Sequence, residues 1–414
     1  MNTGKKILYT NLFIFSLPLA AYLAATLLLF HRQTVGYGGL YPSDIGPYIA
    51  EMLWEDTGYD FPYPILFLTG RLFLPFTSPE HAMALAVTLL NGMSPLVLKF
   101  YFDRILHVRD AGSARRGIFS TLLVFSLLFV SMLYPLTYLG HYHDHQEGFL
   151  YRYLGVFTPN PYHNATYLAA RPFSVPAFFL FADILAFYEK EDKWFHPKYL
   201  FFSLFLFLST LAKPSFTLVL VITAGVIMLW RLAVQARRPG SLPAGVKAFF
   251  QLGIWFLPTF LVLLYQFGNV FHPGGSADSG VGFGFLTAWS TVTDNVPMAI
   301  LRGMAFPMVV LLFSLLQRRL PGLLKFSWQF FFTALLTLLL LYEKGYRLPH
   351  VNFAWGYMYG LFFACTAGLA VLAGNTLRRR QPVWQLVIQW TVYALHLVCG
   401  LDYFRILLRG GLFH

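Results

Sequence analysis

Apolar runs of about twenty residues recur along this chain and constrain its fold more than any other feature. A helix that crosses a bilayer needs roughly 20 predominantly apolar residues. Inside lipid it must satisfy its own backbone hydrogen bonds. Eleven such runs are counted, near 8–30, 81–103, 118–139, 172–188, 199–212, 215–231, 249–268, 298–316, 326–342, 354–374 and 383–401. Only 12% of the 414 residues are charged, against about 25% in soluble chains. The expected fold is all-α, a polytopic transmembrane bundle of about 11 spanning helices making one integral membrane domain over 1–414.

Several details follow from the run boundaries. Segments 199–212 and 215–231 meet at Lys213-Pro214, so they form either a tight helical hairpin or one kinked helix, and the basic flanks favour the hairpin. Pro62 to Phe76 is short and interrupted by Gly70, Arg71 and Pro75. It reads as an interfacial helix inside the first loop, 31–80. Lys5-Lys6 and the apolar run behind them read as an uncleaved first span, too long for a signal h-region. Cys365 and Cys399 both lie in apolar runs, which gives no disulfide framework and no zinc spacing.

The net charge of +12 follows from topology. With the N-terminus inside, 20 of the 30 Lys and Arg fall on the cytoplasmic side, among them Lys5, Lys6, Arg237, Arg238, Arg318, Arg319 and Arg378 to Arg380. That bias orients the chain with its N-terminus cytoplasmic and its C-terminus outside, as in a bacterial cytoplasmic membrane, and needs no nucleic acid. The cytoplasmic loops are then short and basic, while the unusual polar chemistry gathers on the extracytoplasmic face. Ionisable groups near membrane depth are costly and mark functional sites.

The first polar cluster follows the first span and reads Tyr41-Pro-Ser-Asp-Ile-Gly-Pro-Tyr-Ile-Ala-Glu-Met52. Asp44 precedes a half-apolar helical pattern, and Glu51 lies two turns further along the same face. Asp44 either caps that helix or acts as a base toward a hydroxyl nucleophile, and the two roles are compatible. After the third span, His141-Tyr-His-Asp-His-Gln-Glu147 could hold a divalent cation, magnesium or manganese, with Asp144 and His145 as the expected ligands. No motif demands a cofactor, and a His-rich interfacial loop is the plain alternative.

Asn160, His163, Asn164 and Thr166 then offer neutral donors and acceptors suited to sugar hydroxyls or a phosphate, although they also fit a capped helix entry. Asn164-Ala-Thr166 matches the glycosylation sequon. Arg171 and Lys213 are interfacial cations that either snorkel or hold a phosphate. The Gly-rich stretch from His272 to Phe285 lacks the Gly-Lys-Ser/Thr ending of a nucleotide loop and reads as a substrate-access loop. Glu343, Arg347, His350 and Asn352 crowd one turn. Glu343 and Arg347 either pair locally, or Arg347 and His350 bind a diphosphate.

Taken together, the first outer loop with Ser43-Asp44, its interfacial stretch through Tyr63-Pro64 and the later outer clusters resemble the GT-C superfamily of membrane glycosyltransferases. Pro42-Ser-Asp44, Asn160-Pro-Tyr-His-Asn164 and His350-Val-Asn352-Phe-Ala-Trp-Gly356 also look like segments of uncharacterised bacterial multipass proteins. The chain departs from the superfamily in lacking a large soluble outer domain and an unambiguous second acidic motif beyond Asp144. The resemblance implies inverting transfer of a sugar from a polyprenyl-phosphate donor to a glycan or lipid-linked acceptor. Asp44 would be the base, and Arg347, His350 and Lys213 would meet the phosphate. Rival readings are a polysaccharide polymerase or ligase, a lipid-linked glycan transporter or flippase, and a membrane scaffold.

Overall fold

The computed structural model describes residues 3–36, 41, 43–108, 114–134, 157–271 and 280–411. Among them are fourteen α-helices: α1 (Thr3–Val35), α2 (Ile45–Met52), α3 (Ile65–Phe73), α4 (Pro79–Ile105), α5 (Ala114–Phe129), α6 (Ala165–Ile184), α7 (Pro197–Ala212), α8 (Ser215–Ala236), α9 (Leu242–Gly253), α10 (Leu257–Val270), α11 (Val296–Leu316), α12 (Gly322–Leu340), α13 (Ala354–Arg378) and α14 (Val383–Leu408). Two three-residue strands, β1 (Val281–Phe283) and β2 (Leu341–Glu343), pair antiparallel with Gly282 opposite Tyr342. The protein is an all-α bundle. Among the described residues, eight helical segments are long and apolar enough to cross a membrane, with α9 and α10 counted as one run, which makes it a multi-pass membrane protein. Each of the eleven expected spans overlaps a helix, but α5, α6 and α7 fall outside those eight.

The bundle is built around α13. A helix that is apolar on every side belongs in the interior, and every residue of α13 from Ala354 to Ala370 is buried. Its small residues let neighbours approach closely. A Cβ on Gly356 would lie 2.8 Å from Val219, and one on Gly360 would lie 2.9 Å from the Ala334 methyl.

Lys213 and Pro214 separate α7 from α8 with Lys213 in extended conformation, and Thr210 and Thr217 hydroxyls meet across the break at 2.8 Å. Lys198 at the start of α7 pairs with Asp183 in the last turn of α6, and Arg231 near the end of α8 pairs with Glu189 in the turn that follows α6. The segment is therefore a helical hairpin. The short helix expected between the first two spans is α3, fixed to the end of α2 by Arg71, which donates to the Glu51 and Met52 carbonyls at 2.9 and 2.8 Å.

One expectation needs correction. Within the apolar run over 118–139 the helix ends at Phe129, 130–134 carries no regular structure, and 135–139 lie outside the described residues. Non-helical backbone at membrane depth survives only where the protein itself supplies partners, and here α11 and α14 do so. Ser131 N–H donates to the His396 carbonyl at 3.1 Å, and Leu133 N–H donates to the Arg302 carbonyl at 3.0 Å. The Tyr134 hydroxyl donates to the Cys399 carbonyl at 3.0 Å. The close passage requires Gly400, where an added Cβ would fall 1.5 Å from the Phe129 carbonyl oxygen. Gly400→Ala should lower the apparent melting temperature of the purified protein, as overpacking by about 1–3 kcal/mol does. Gly374→Ala in α13, with nothing within 4 Å of the new Cβ, should leave it unchanged or raise it slightly. Equal effects at both positions would contradict this account of the segment.

Candidate active site

A cavity of about 740 Å³ opens where α2, α8, α10 and α12 end or begin, a size within the range of small-molecule sites. Its polar end is built on Asn164, the N-cap of α6. The side-chain oxygen of Asn164 accepts the Tyr167 backbone N–H at 2.9 Å, the usual satisfaction of a free helix donor. That bond fixes the amide's orientation, because a backbone N–H can only meet the oxygen. The amide nitrogen therefore faces Asp44 and donates to Oδ2 at 2.6 Å. The same Asn164 oxygen also accepts from Lys213 Nζ at 3.3 Å, and Lys213 donates to the Thr166 hydroxyl at 2.9 Å. One buried amide thus joins an acid and a base far apart in the sequence.

Asp44 occupies the N-cap position of α2 without a side-chain capping bond. Its backbone N–H donates to the His163 carbonyl at 3.3 Å, tying the first loop to the segment before α6. Burial pushes its carboxyl above the ordinary value of 3.8, partly offset by the Asn164 bond and by the charges of Lys213 and His350. Oδ1 receives no hydrogen bond from the described residues, and Asp44 lines the cavity. Burial pushes Lys213 down to about 8, opposed by Asp44. The ammonium stands 4.6 Å from the Trp355 ring centroid.

The turn between α12 and α13 forms the opposite lip. Arg347 Nε lies 3.4 Å from Glu343 Oε2, and Asn352 Nδ2 donates to the same oxygen at 2.5 Å. The expected local ion pair exists, and Glu343, Arg347, His350 and Asn352 all line the cavity. Val351, a β-branched residue at φ 47°, turns the chain between His350 and Asn352. Such a conformation costs about 1–3 kcal/mol and persists where surroundings impose it.

The remaining expected site residues divide. His163, Asn164 and Lys213 line the cavity. Glu51 does not, because seven residues of helix carry it about 10 Å along the axis from Asp44. Asn160 donates to the Leu127 and Val130 carbonyls at 3.0 and 2.8 Å and so closes the end of α5 instead of facing the cavity. Arg171 is fully buried within α6, 4.6 Å from the Phe362 ring centroid and 5.6 Å from that of Tyr167, away from the cavity. Asn164 is 2% exposed, which removes it as a glycan acceptor in the folded chain. Asp144 and His145 lie outside the described residues, as does most of the Gly-rich access stretch. Among the described residues no cluster of three metal-ligating side chains occurs.

Asp60, Tyr59 and Tyr63, which bring the loop after α2 to the cavity, were not among the expected site residues, whereas Thr166, grouped with Asn164 in the sequence, is the second partner of Lys213. Tyr48, read only as part of an apolar stripe, also lines the cavity and receives a 3.3 Å bond from Asn164. Its position one turn from Asp44 was the available signal. Away from the polar end, Leu218, Val219 and Ile222 of α8 face Leu263, Phe267 and Val270 of α10 across an apolar slot. In comparison with known proteins, the sequence matches no family model and no curated protein.

Proposed function

We propose that the protein is a membrane glycosyltransferase that moves a sugar from a polyprenyl-phosphate donor to an acceptor hydroxyl on the extracytoplasmic face, with inversion. One observation carries this reading: a charged, hydrogen-bonded box and an apolar slot between two helices belong to a single cavity. A phosphate-linked lipid has that same division, with an anionic head and an apolar tail.

Asp44 acts as general base through Oδ1. The acceptor oxygen attacks the anomeric carbon, its proton passes to Asp44, and the bond to the phosphate oxygen breaks with the electron pair leaving on phosphate. Lys213, Arg347 and His350 stabilise that developing charge, which is often the largest single catalytic contribution. Asn164 positions both Asp44 and Lys213. Displacement in a single step needs no second carboxylate as nucleophile. A polymerase or ligase would share this chemistry with a glycan chain as acceptor. A lipid-linked glycan transporter would use the same slot, but would have no need of a base held above its ordinary pKa.

Purified protein given a panel of polyprenyl-phosphate sugars and acceptors should release lipid phosphate, and Asp44→Asn should slow release about 100- to 10,000-fold. An undiminished rate in Asp44→Asn would remove the base assignment. The rate should be bell-shaped in pH. It falls in acid as Asp44 takes a proton above the usual carboxylate value, and in alkali as Lys213 loses its proton near 8. Lys213→Met should abolish the alkaline limb, and a limb that survives in that variant would assign it to another group.

A further inference from the structure

The end of the bundle opposite the cavity carries a second charged feature that the proposed reaction does not use. From residue 295 to 342 and again from 344 to 401 the chain has no Asp or Glu, yet both stretches supply arginines to this end. Arg318 and Arg319 follow α11, Lys325 lies in the first turn of α12, Arg378 ends α13, and Arg379 and Arg380 lead into α14. All six are exposed. Neighbouring cations at this end are paired: Lys99 with Asp103, Arg104 and Lys198 with Asp183, Arg231 with Glu189, and Lys247 with Asp192. Among the described residues, no ion pair reaches any of the six.

These arginines are held together. Gln317 donates to the Gln385 side chain at 2.8 Å, which joins the end of α11 to the start of α14. One turn deeper, Phe313 and Trp384 meet edge to face with centroids 5.6 Å apart. Beside the cations stand exposed Leu316, Val383 and Trp384, at 73%, 74% and 58%. Unneutralised arginines above an apolar, tryptophan-bearing helix pair combine an anion site with an acyl-chain surface. Trp belongs at the headgroup level. Guanidinium groups bind phosphate bidentately, and polybasic clusters next to spanning helices attract anionic lipids.

We propose that this end of α11, α12, α13 and α14 binds the headgroup of an anionic phospholipid, with its acyl chains against Leu316, Val383 and Trp384. The lipid neutralises charges that the protein leaves without acidic partners. The adjacent apolar surface favours a lipid over a free phosphate ion.

The test is native mass spectrometry of the full chain in detergent, titrated with phosphatidylglycerol or phosphatidylcholine. Phosphatidylglycerol should be retained selectively. The variant R318Q/R319Q/R379Q should weaken its binding on the order of 100-fold, as expected for three lost charges near a lipid surface, and added salt should weaken it further. A charge-matched variant at the same end, K190Q/R237Q/R238Q, should retain most of the binding. Equal loss in both variants, no preference between the lipids, or displacement by inorganic phosphate would each overturn the site. Both variants alter exposed residues, and a monodisperse elution profile checks that each remains folded.

Discussion

One amide at the edge of the membrane-embedded bundle organises the site. Asn164 accepts from the α6 backbone and from Lys213, and it donates to Asp44. Burying a lone carboxylate or ammonium is expensive unless it is paired and hydrogen-bonded. Here each ion is tolerable because the same neutral group serves both. Their titration behaviour follows from that compromise, since burial raises Asp44 and lowers Lys213 while each opposes the other's shift. The amide's orientation comes from helix capping, so a local folding requirement sets the direction of its hydrogen bond to Asp44.

The rest of the architecture serves to bring distant loops to that amide. The segment before α6 is pinned to the end of α1, where Gln33 donates to the Tyr162 carbonyl at 3.3 Å, and to α14 through a 3.3 Å contact between His163 and Tyr403. Asn160 anchors it to the end of α5. The hairpin of α7 and α8 delivers Lys213 at its tip, and the strained turn at Val351 delivers His350 and Asn352 from the other side. Arg347 and Lys213, both candidate phosphate ligands in the sequence, line one cavity.

The bundle was largely legible because lipid imposes a length and a composition on spanning helices, and those survive in the sequence without any contact information. The same signal misled at 130–134, since an apolar stretch reads alike whether it is helical or extended between two helices. Asp44, Lys213, Glu343, Arg347 and His350, which line the cavity, stood out because charge beside apolar runs is unusual, and Asn164 and Asn352 stood out only as their polar neighbours. Glu51 was misplaced because a shared helical face says nothing of distance along the axis. Arg171 and Asn160 were misplaced because polarity does not reveal whether a side chain turns inward to close the fold. Asp60 went unnoticed and Tyr63 was read only as part of an interfacial stretch, since only tertiary packing carries their loop to the cavity.

In the proposed reaction, the polar box and the slot between α8 and α10 hold the head and the tail of one lipid-linked substrate. Photolabelling tests it most directly, using a polyprenyl phosphate with a photoreactive group near its first isoprene unit and mapping the labelled peptides. The account predicts label on the stretches 218–222 and 263–270, displaced by unlabelled polyprenyl phosphate and retained in Asp44→Asn. Label spread over the lipid-facing surfaces of α1 and α14, without displacement, would contradict it.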